Sequence, residues 1–113
     1  MVSLLEKVKP LAVPTKVRSK KFPDTPTIAE SGYPDYEASA WYGFVVPKGT
    51  PRPIIEKLRQ ATVDTINNDV VKSRLEAEGA EPIGNAPEAF ADMMKAESQR
   101  WAAVIKEAGV TVD

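Results

Sequence analysis

Apolar residues recur at three- and four-residue intervals through the second half of the chain. Ile54, Ile55, Leu58, Ala61, Thr62 and Ile66 mark one face, the spacing of an amphipathic helix over 51–66. Thr50-Pro51 ahead of it places a hydroxyl at the N-cap and a proline at the first helical position, where its missing N–H costs nothing. Asn67-Asn68-Asp69 interrupts the pattern, and Asp69 is expected to cap a shorter helix carrying Val70, Val71, Arg74 and Leu75. Gly79 should close that helix as the left-handed residue beyond its end. Ala80-Glu81-Pro82-Ile83 reads as a short edge strand, because Pro82 cannot donate to a ladder. From Pro87, the positions Phe90, Met94, Glu97, Trp101, Val104, Ile105 and Ala108 trace a long amphipathic helix that Gly109 ends.

The first half follows a different pattern. Eight of the ten prolines lie between Pro10 and Pro53, so this stretch cannot be a helix bundle. Val8-Lys9-Pro10-Leu11-Ala12-Val13 reads as a strand weakened by Pro10. A basic loop over Lys16, Arg18, Lys20 and Lys21 follows. Thr27-Ile28-Ala29-Glu30 has the spacing of a capping box, and with Gly32 after it predicts a single helical turn. Ala38-Ser39-Ala40-Trp41-Tyr42-Gly43-Phe44-Val45-Val46 is the best strand in the chain, aromatic and β-branched and bounded by Pro47 and Gly49. Three apolar helical stripes exceed what two or three short strands can receive, so the helices expect a larger sheet. A second copy of the chain, or a segment preceding this one, would supply it.

Composition narrows the chemistry. The 113 residues fit one domain or a piece of something larger. Fifteen basic against sixteen acidic residues leave a net charge of −1, which argues against a nucleic-acid partner. No cysteine or histidine is present, which excludes disulfides, zinc–thiolate sites, cysteine nucleophiles and Ser-His-Asp triads. No apolar run approaches the ~18 residues of a membrane span. Met1-Val2-Ser3-Leu4-Leu5 runs directly into Glu6 and Lys7, unlike a secretory signal. The expectation is a cytoplasmic chain if expressed as written, or one whose natural N-terminal part is missing.

Several motifs, taken in order, carry a resemblance. Leu11-Ala12-Val13 is followed by Phe22-Pro23-Asp24-Thr25-Pro26-Thr27-Ile28-Ala29-Glu30-Ser31-Gly32, then by Trp41 through Pro51. Glu78-Gly79-Ala80-Glu81-Pro82-Ile83-Gly84, Pro87-Glu88-Ala89-Phe90 and Glu97-Ser98-Gln99-Arg100-Trp101 complete the set. Together they resemble the C-terminal part of the tripartite tricarboxylate transporter substrate-binding proteins, the TctC-like or Bug family, over residues 8–110. The resemblance implies an α/β fold, the C-terminal portion of a two-lobe periplasmic binding protein, with few strands and three covering helices. It implies that 1–37 belong to the second lobe, 38–50 to a hinge-crossing strand and 51–113 to the first lobe. It also implies periplasmic location, a small carboxylate ligand in intact relatives, and membrane transporter subunits as partners. Two positions depart from the family pattern: Pro14 stands where a small hydroxyl residue is common, and Ala86 where a Thr or Ser cap is common. The glycine-rich loop and backbone amides that grip the carboxylate in the family lie in a portion this sequence does not contain.

Candidate site residues follow. Trp41, Tyr42 and Gly43 offer two amphipathic rings and a close backbone approach for a ligand; the structural alternative makes Trp41 and Phe44 core and Gly43 a bulge. Thr15 offers a hydroxyl to a carboxylate, or is a turn residue after Pro14; Ser31 and Ser39 present weaker cases of the same kind. Lys16 to Lys21 attracts anions or is a solvated loop. Asp24 reads as turn chemistry. Glu88, Asp92, Glu97 and Glu107 lack any partner for acid catalysis: Glu88 suits the macrodipole of a first helical turn, and Glu97–Arg100 is an i, i+3 surface pair. Trp101, Phe90 and Met94 read as core. The sequence therefore predicts a partial substrate-binding receptor, not an enzyme, with no cofactor or metal and with binding impaired in this chain alone. The alternative is a non-transport interaction module stable as a homo-oligomer.

Overall fold

The computed structural model describes residues 7–111. Met1–Glu6, on which the expectation about an export signal rests, lie outside the described residues. Among the described residues three helices form: α1 over Arg52–Ile66, α2 over Asp69–Ala77 and α3 over Pro87–Ala108. Their extents follow the apolar periodicity closely, and α3 starts at Pro87 as expected, but the caps of α1 and α2 differ from expectation.

Pro51, rather than Thr50, is the N-cap of α1, and no side chain caps it. The Thr50 hydroxyl instead donates to the Pro47 carbonyl at 2.7 Å, closing the Pro47–Thr50 turn. At α2 the capping group is Asn68, not Asp69: its Oδ1 accepts from the Val70 N–H at 3.1 Å and its carbonyl from the Lys72 N–H at 2.8 Å. An asparagine one position earlier satisfies the orphan amides equally well, and Asp69 then sits in the first turn, where its charge suits the helix dipole. Ala86 precedes α3 with no side-chain cap. Gly109 ends α3 in the left-handed conformation, φ 64°, with its N–H turned to the Ile105 and Lys106 carbonyls. Gly109→Ala is expected to fray that last turn at a cost of about 1 kcal/mol, read as loss of amide protection confined to residues 105–109.

The expected strands do not form. Among the described residues the β-pairing is a single isolated parallel bridge between Val13 and Thr27. Residues 8–12, 38–46 and 80–83 join no ladder. The reason is physical: strand propensity selects a pleated backbone, but its N–H and C=O groups find partners only on a neighbouring strand.

Two compact units are distinguished, one from the residues up to Val45 with Glu76–Ala80, the other from Val46–Leu75 with the residues from Glu81 onward. No hydrophobic side chain among the described residues is buried; Thr25 and Thr27 are the buried residues. The readings of Trp41, Phe44 and Trp101 as core are therefore not met within the chain itself, because no layer covers them: they are 41, 83 and 40% exposed.

The second unit is pinned by polar contacts around its connecting loop. Arg59 donates from Nε to the Asn85 carbonyl and from Nη2 to the Gly84 carbonyl, each at 3.4 Å. Arg52 pairs with Glu56 one turn on, at 2.6 Å, and with Glu88 in the first turn of α3. Gly84, at φ +62°, lies so close to α1 that a Cβ would stand 3.0 Å from Ile66 Cδ1 and 3.2 Å from Val63 Cγ2.

Candidate functional site

The first unit is organised by hydrogen bonds rather than by a core. Thr27 is its centre. The Val13 N–H donates to the Pro26 carbonyl at 2.9 Å and the Ile28 N–H to the Val13 carbonyl at 3.0 Å. The capping box forms as the spacing predicts. Glu30 Oε2 accepts from the Thr27 N–H at 2.8 Å, and Thr27 Oγ1 accepts from the Glu30 N–H at 3.0 Å. The Ser31 hydroxyl adds a bond to the Thr27 carbonyl at 2.9 Å.

Arg18 locks this turn to the basic loop. Its Nε lies 3.1 and 3.0 Å from the two oxygens of Glu30, its Nη2 lies 2.9 Å from Oε1, and Nη1 donates to the Pro23 carbonyl at 3.1 Å. These bonds from Arg18, with the Thr27 N–H, hold the Glu30 carboxyl down to about 2. Lys21 donates to the Ala77 carbonyl at the end of α2. Arg18 and Lys21 thus fasten the unit together, a role that a reading of the run as an anion attractor or a solvated loop does not include.

The four candidate ligand residues all lie in this unit. Thr15 Oγ1 donates to the Val17 carbonyl at 2.8 Å, the local turn bond open to a Thr at this position. Its proton is spent there, and donation to a carboxylate would require the hydroxyl to rotate. The Ala38 N–H donates to the Pro14 carbonyl at 2.8 Å, which ties the approach to Trp41 against the bend that bears Thr15. Beyond Ala38 the chain runs through Trp41, Tyr42 and Gly43 without helix, turn or bend. Tyr42 is 94% exposed. Among the described residues the glycines at positive φ are Gly32, Gly49, Gly79, Gly84 and Gly109; Gly43 needs no unusual backbone.

Acidic chemistry is engaged structurally. Glu88 is held below its ordinary value by the Arg52 hydrogen bond. Glu97 is held below its own by the Trp101 indole N–H at 2.9 Å and by Arg100 at 2.7 Å. The Arg100 guanidinium carbon lies 4.9 Å from the Trp101 ring centroid. No group of acidic side chains among the described residues is arranged to hold a metal ion.

A family model described as the tripartite tricarboxylate transporter family receptor, TctC, matches residues 5–110. The chain belongs to this family. It is 38% identical over 105 residues to a UPF0065 protein encoded in the tcbD-tcbE intergenic region of Pseudomonas sp. strain P51, covering 92% of this chain and 31% of that protein. Protein BugT of Bordetella pertussis is 37% identical over 99 residues, covering 88% of this chain and 30% of BugT. Solved structures also resemble it. The R. palustris protein Rpa4515, solved with adipate, matches 97% of this chain and 37% of its own, at 34% identity and a TM-score of 0.78. The periplasmic binding protein BugD matches 88% of this chain and 34% of its own, at 37% identity and a TM-score of 0.74. The chain therefore spans about a third of the length of each of these four proteins.

Proposed function

We propose that this chain is the C-terminal portion of a two-lobe α/β receptor that holds a small carboxylate without covalent chemistry and passes it to membrane transporter subunits. The observation that carries this reading is the backbone match, at a TM-score of 0.78 over 97% of the chain, to a protein solved with adipate. Residues 1–37 belong to the second lobe, 38–50 cross the hinge, and 51–113 belong to the first lobe. The working compartment is the periplasm. Trp41, Tyr42 and Gly43 wall the ligand, and Thr15 contributes its hydroxyl after turning from Val17. No reaction is catalysed, since the carboxylates that lie near basic groups serve the turns and helices that hold the chain together.

A ligand pocket in a receptor of this kind surrounds most of its ligand. With about a third of the relatives' length, this chain supplies only part of that enclosure. Calorimetric titration of the isolated chain with adipate and with a tricarboxylate is expected to give a Kd weaker than about 1 mM, less than ~4 kcal/mol of binding. A micromolar Kd for the chain alone would show that its binding surface is complete as it stands. Turnover of the carboxylate would remove the receptor reading altogether.

A further inference from the structure

The hydroxyl of Thr15 bonds within its own bend, to the Val17 carbonyl, so the bend itself is placed by other groups. Both of its ends are fastened to one turn. Ahead of it, the Val13 N–H and C=O are engaged on either side of Thr27, by the Pro26 carbonyl and the Ile28 N–H. Behind it, Arg18 spreads its guanidinium over both oxygens of Glu30 and the Pro23 carbonyl. Glu30 in turn accepts from the Thr27 N–H at 2.8 Å. The span from Pro14 to Val17 thus stands with both feet on the Thr27–Glu30 turn. Its Pro14 carbonyl accepts from the Ala38 N–H at 2.8 Å, shortly before Trp41. All of these residues belong to the first unit. One turn therefore sets both pieces of the candidate wall, Thr15 directly and the run through Trp41, Tyr42 and Gly43 by way of Ala38.

We propose that Arg18 and Glu30 are positioning residues: their forked pair holds the Thr15 bend and the segment entering Trp41 where a ligand carboxylate meets them. This inference rests on the receptor reading above. The chemistry calls for arginine. Nε and Nη2 reach the two Glu30 oxygens while Nη1 reaches the Pro23 carbonyl. A lysine would keep the charge but, with a single nitrogen, lose the fork. The energetics point the same way. Both partners are 45% exposed, and an ion pair that open to solvent adds little to stability. What the fork fixes is direction and distance. A hydroxyl on a bend needs that support, because a shift of about 1 Å takes it out of hydrogen-bond range of its acceptor. Arg52 makes a comparable exposed pairing with Glu56 and Glu88 in the second unit, which provides a control.

The test uses the full chain, isotope-labelled for NMR, with Arg18→Lys as the variant and Arg52→Lys as the control. Without ligand, protection of the Ala38 amide relative to its intrinsic exchange rate should fall about tenfold in Arg18→Lys and hold in Arg52→Lys. Should Arg18→Lys unfold the first unit, sodium chloride at about 1 M screens the pair in the unmodified chain and should lower Ala38 protection in the same direction. Protection that ignores both the substitution and the salt overturns the proposal. Adipate is then titrated to about 50 mM, against sodium chloride of equal ionic strength, to cover the weak Kd expected of the chain alone. The amide signals of Thr15, Trp41, Tyr42 and Gly43 should move in the unmodified chain and in Arg52→Lys. In Arg18→Lys the same movement should need roughly threefold more adipate. Identical adipate titrations of Arg18→Lys and the unmodified chain overturn the positioning role. Lowered Ala38 protection in Arg18→Lys, with no adipate-specific movement at any of the four residues, upholds the placement by Arg18 and sinks the receptor reading for this chain.

Discussion

Gly84→Ala is expected to destabilise the second unit by about 2 kcal/mol, through crowding against α1 added to the cost of a left-handed backbone. The methyl would meet Ile66 Cδ1 at 3.0 Å and Val63 Cγ2 at 3.2 Å, and φ is +62°. Moving the loop away to relieve the contact would stretch the bonds from Arg59 to the Gly84 and Asn85 carbonyls, already 3.4 Å. For a unit of this size the helical melting midpoint should fall by roughly 10 °C. Gly49→Ala is the control: its φ is +87°, but nothing lies within 4 Å of an added methyl. It should cost about 1 kcal/mol, the backbone part alone. Equal losses in the two variants would mean that α1 yields and the close approach is unimportant.

Acid is expected to loosen the first unit, with the change centred on one carboxyl. Glu30 is held at about 2, below its ordinary 4.5. A lowered folded-state value means that the contribution is fully present above pH 4.5 and disappears as pH falls through 2. Protection of the Thr27, Ile28 and Glu30 amides, taken relative to their intrinsic exchange rates at each pH, should therefore fall severalfold between those limits. Glu30→Gln should show the lower protection already at pH 6 and lose the acid dependence. The Arg18–Glu30 pair is half exposed, so added salt should narrow the difference. Unchanged exchange in Glu30→Gln would mean that backbone bonds around Val13 hold the turn without the ion pair.

Legibility in the sequence tracks the range of the interaction. The helices α1, α2 and α3 were readable because a helix makes its hydrogen bonds within four residues and shows its buried face as a period. The Thr27–Glu30 capping box was readable for the same reason. A one-residue error at each of α1 and α2 came from neighbouring residues competing for one capping role: Thr50 turned back to Pro47, and Asn68 stood ahead of Asp69. The Arg18–Glu30 pair spans twelve residues, Lys21–Ala77 fifty-six and Arg52–Glu88 thirty-six. No spacing rule brings such pairs together. The candidate ligand residues were visible only as residue types suited to a wall, and Thr15 shows the limit of that reading, since its hydroxyl is turned to Val17.

By itself the sequence determined where the helices lie, the Thr27 turn and membership of a receptor family, because local periodicity and ordered motifs are properties of one chain read end to end. Only the tertiary structure decided that the strand-like runs stay out of ladders and that a threonine, not an apolar core, sits at the centre of the first unit. The physical reason is that a strand and an apolar face are completed by what lies across from them, and local sequence does not specify a distant partner.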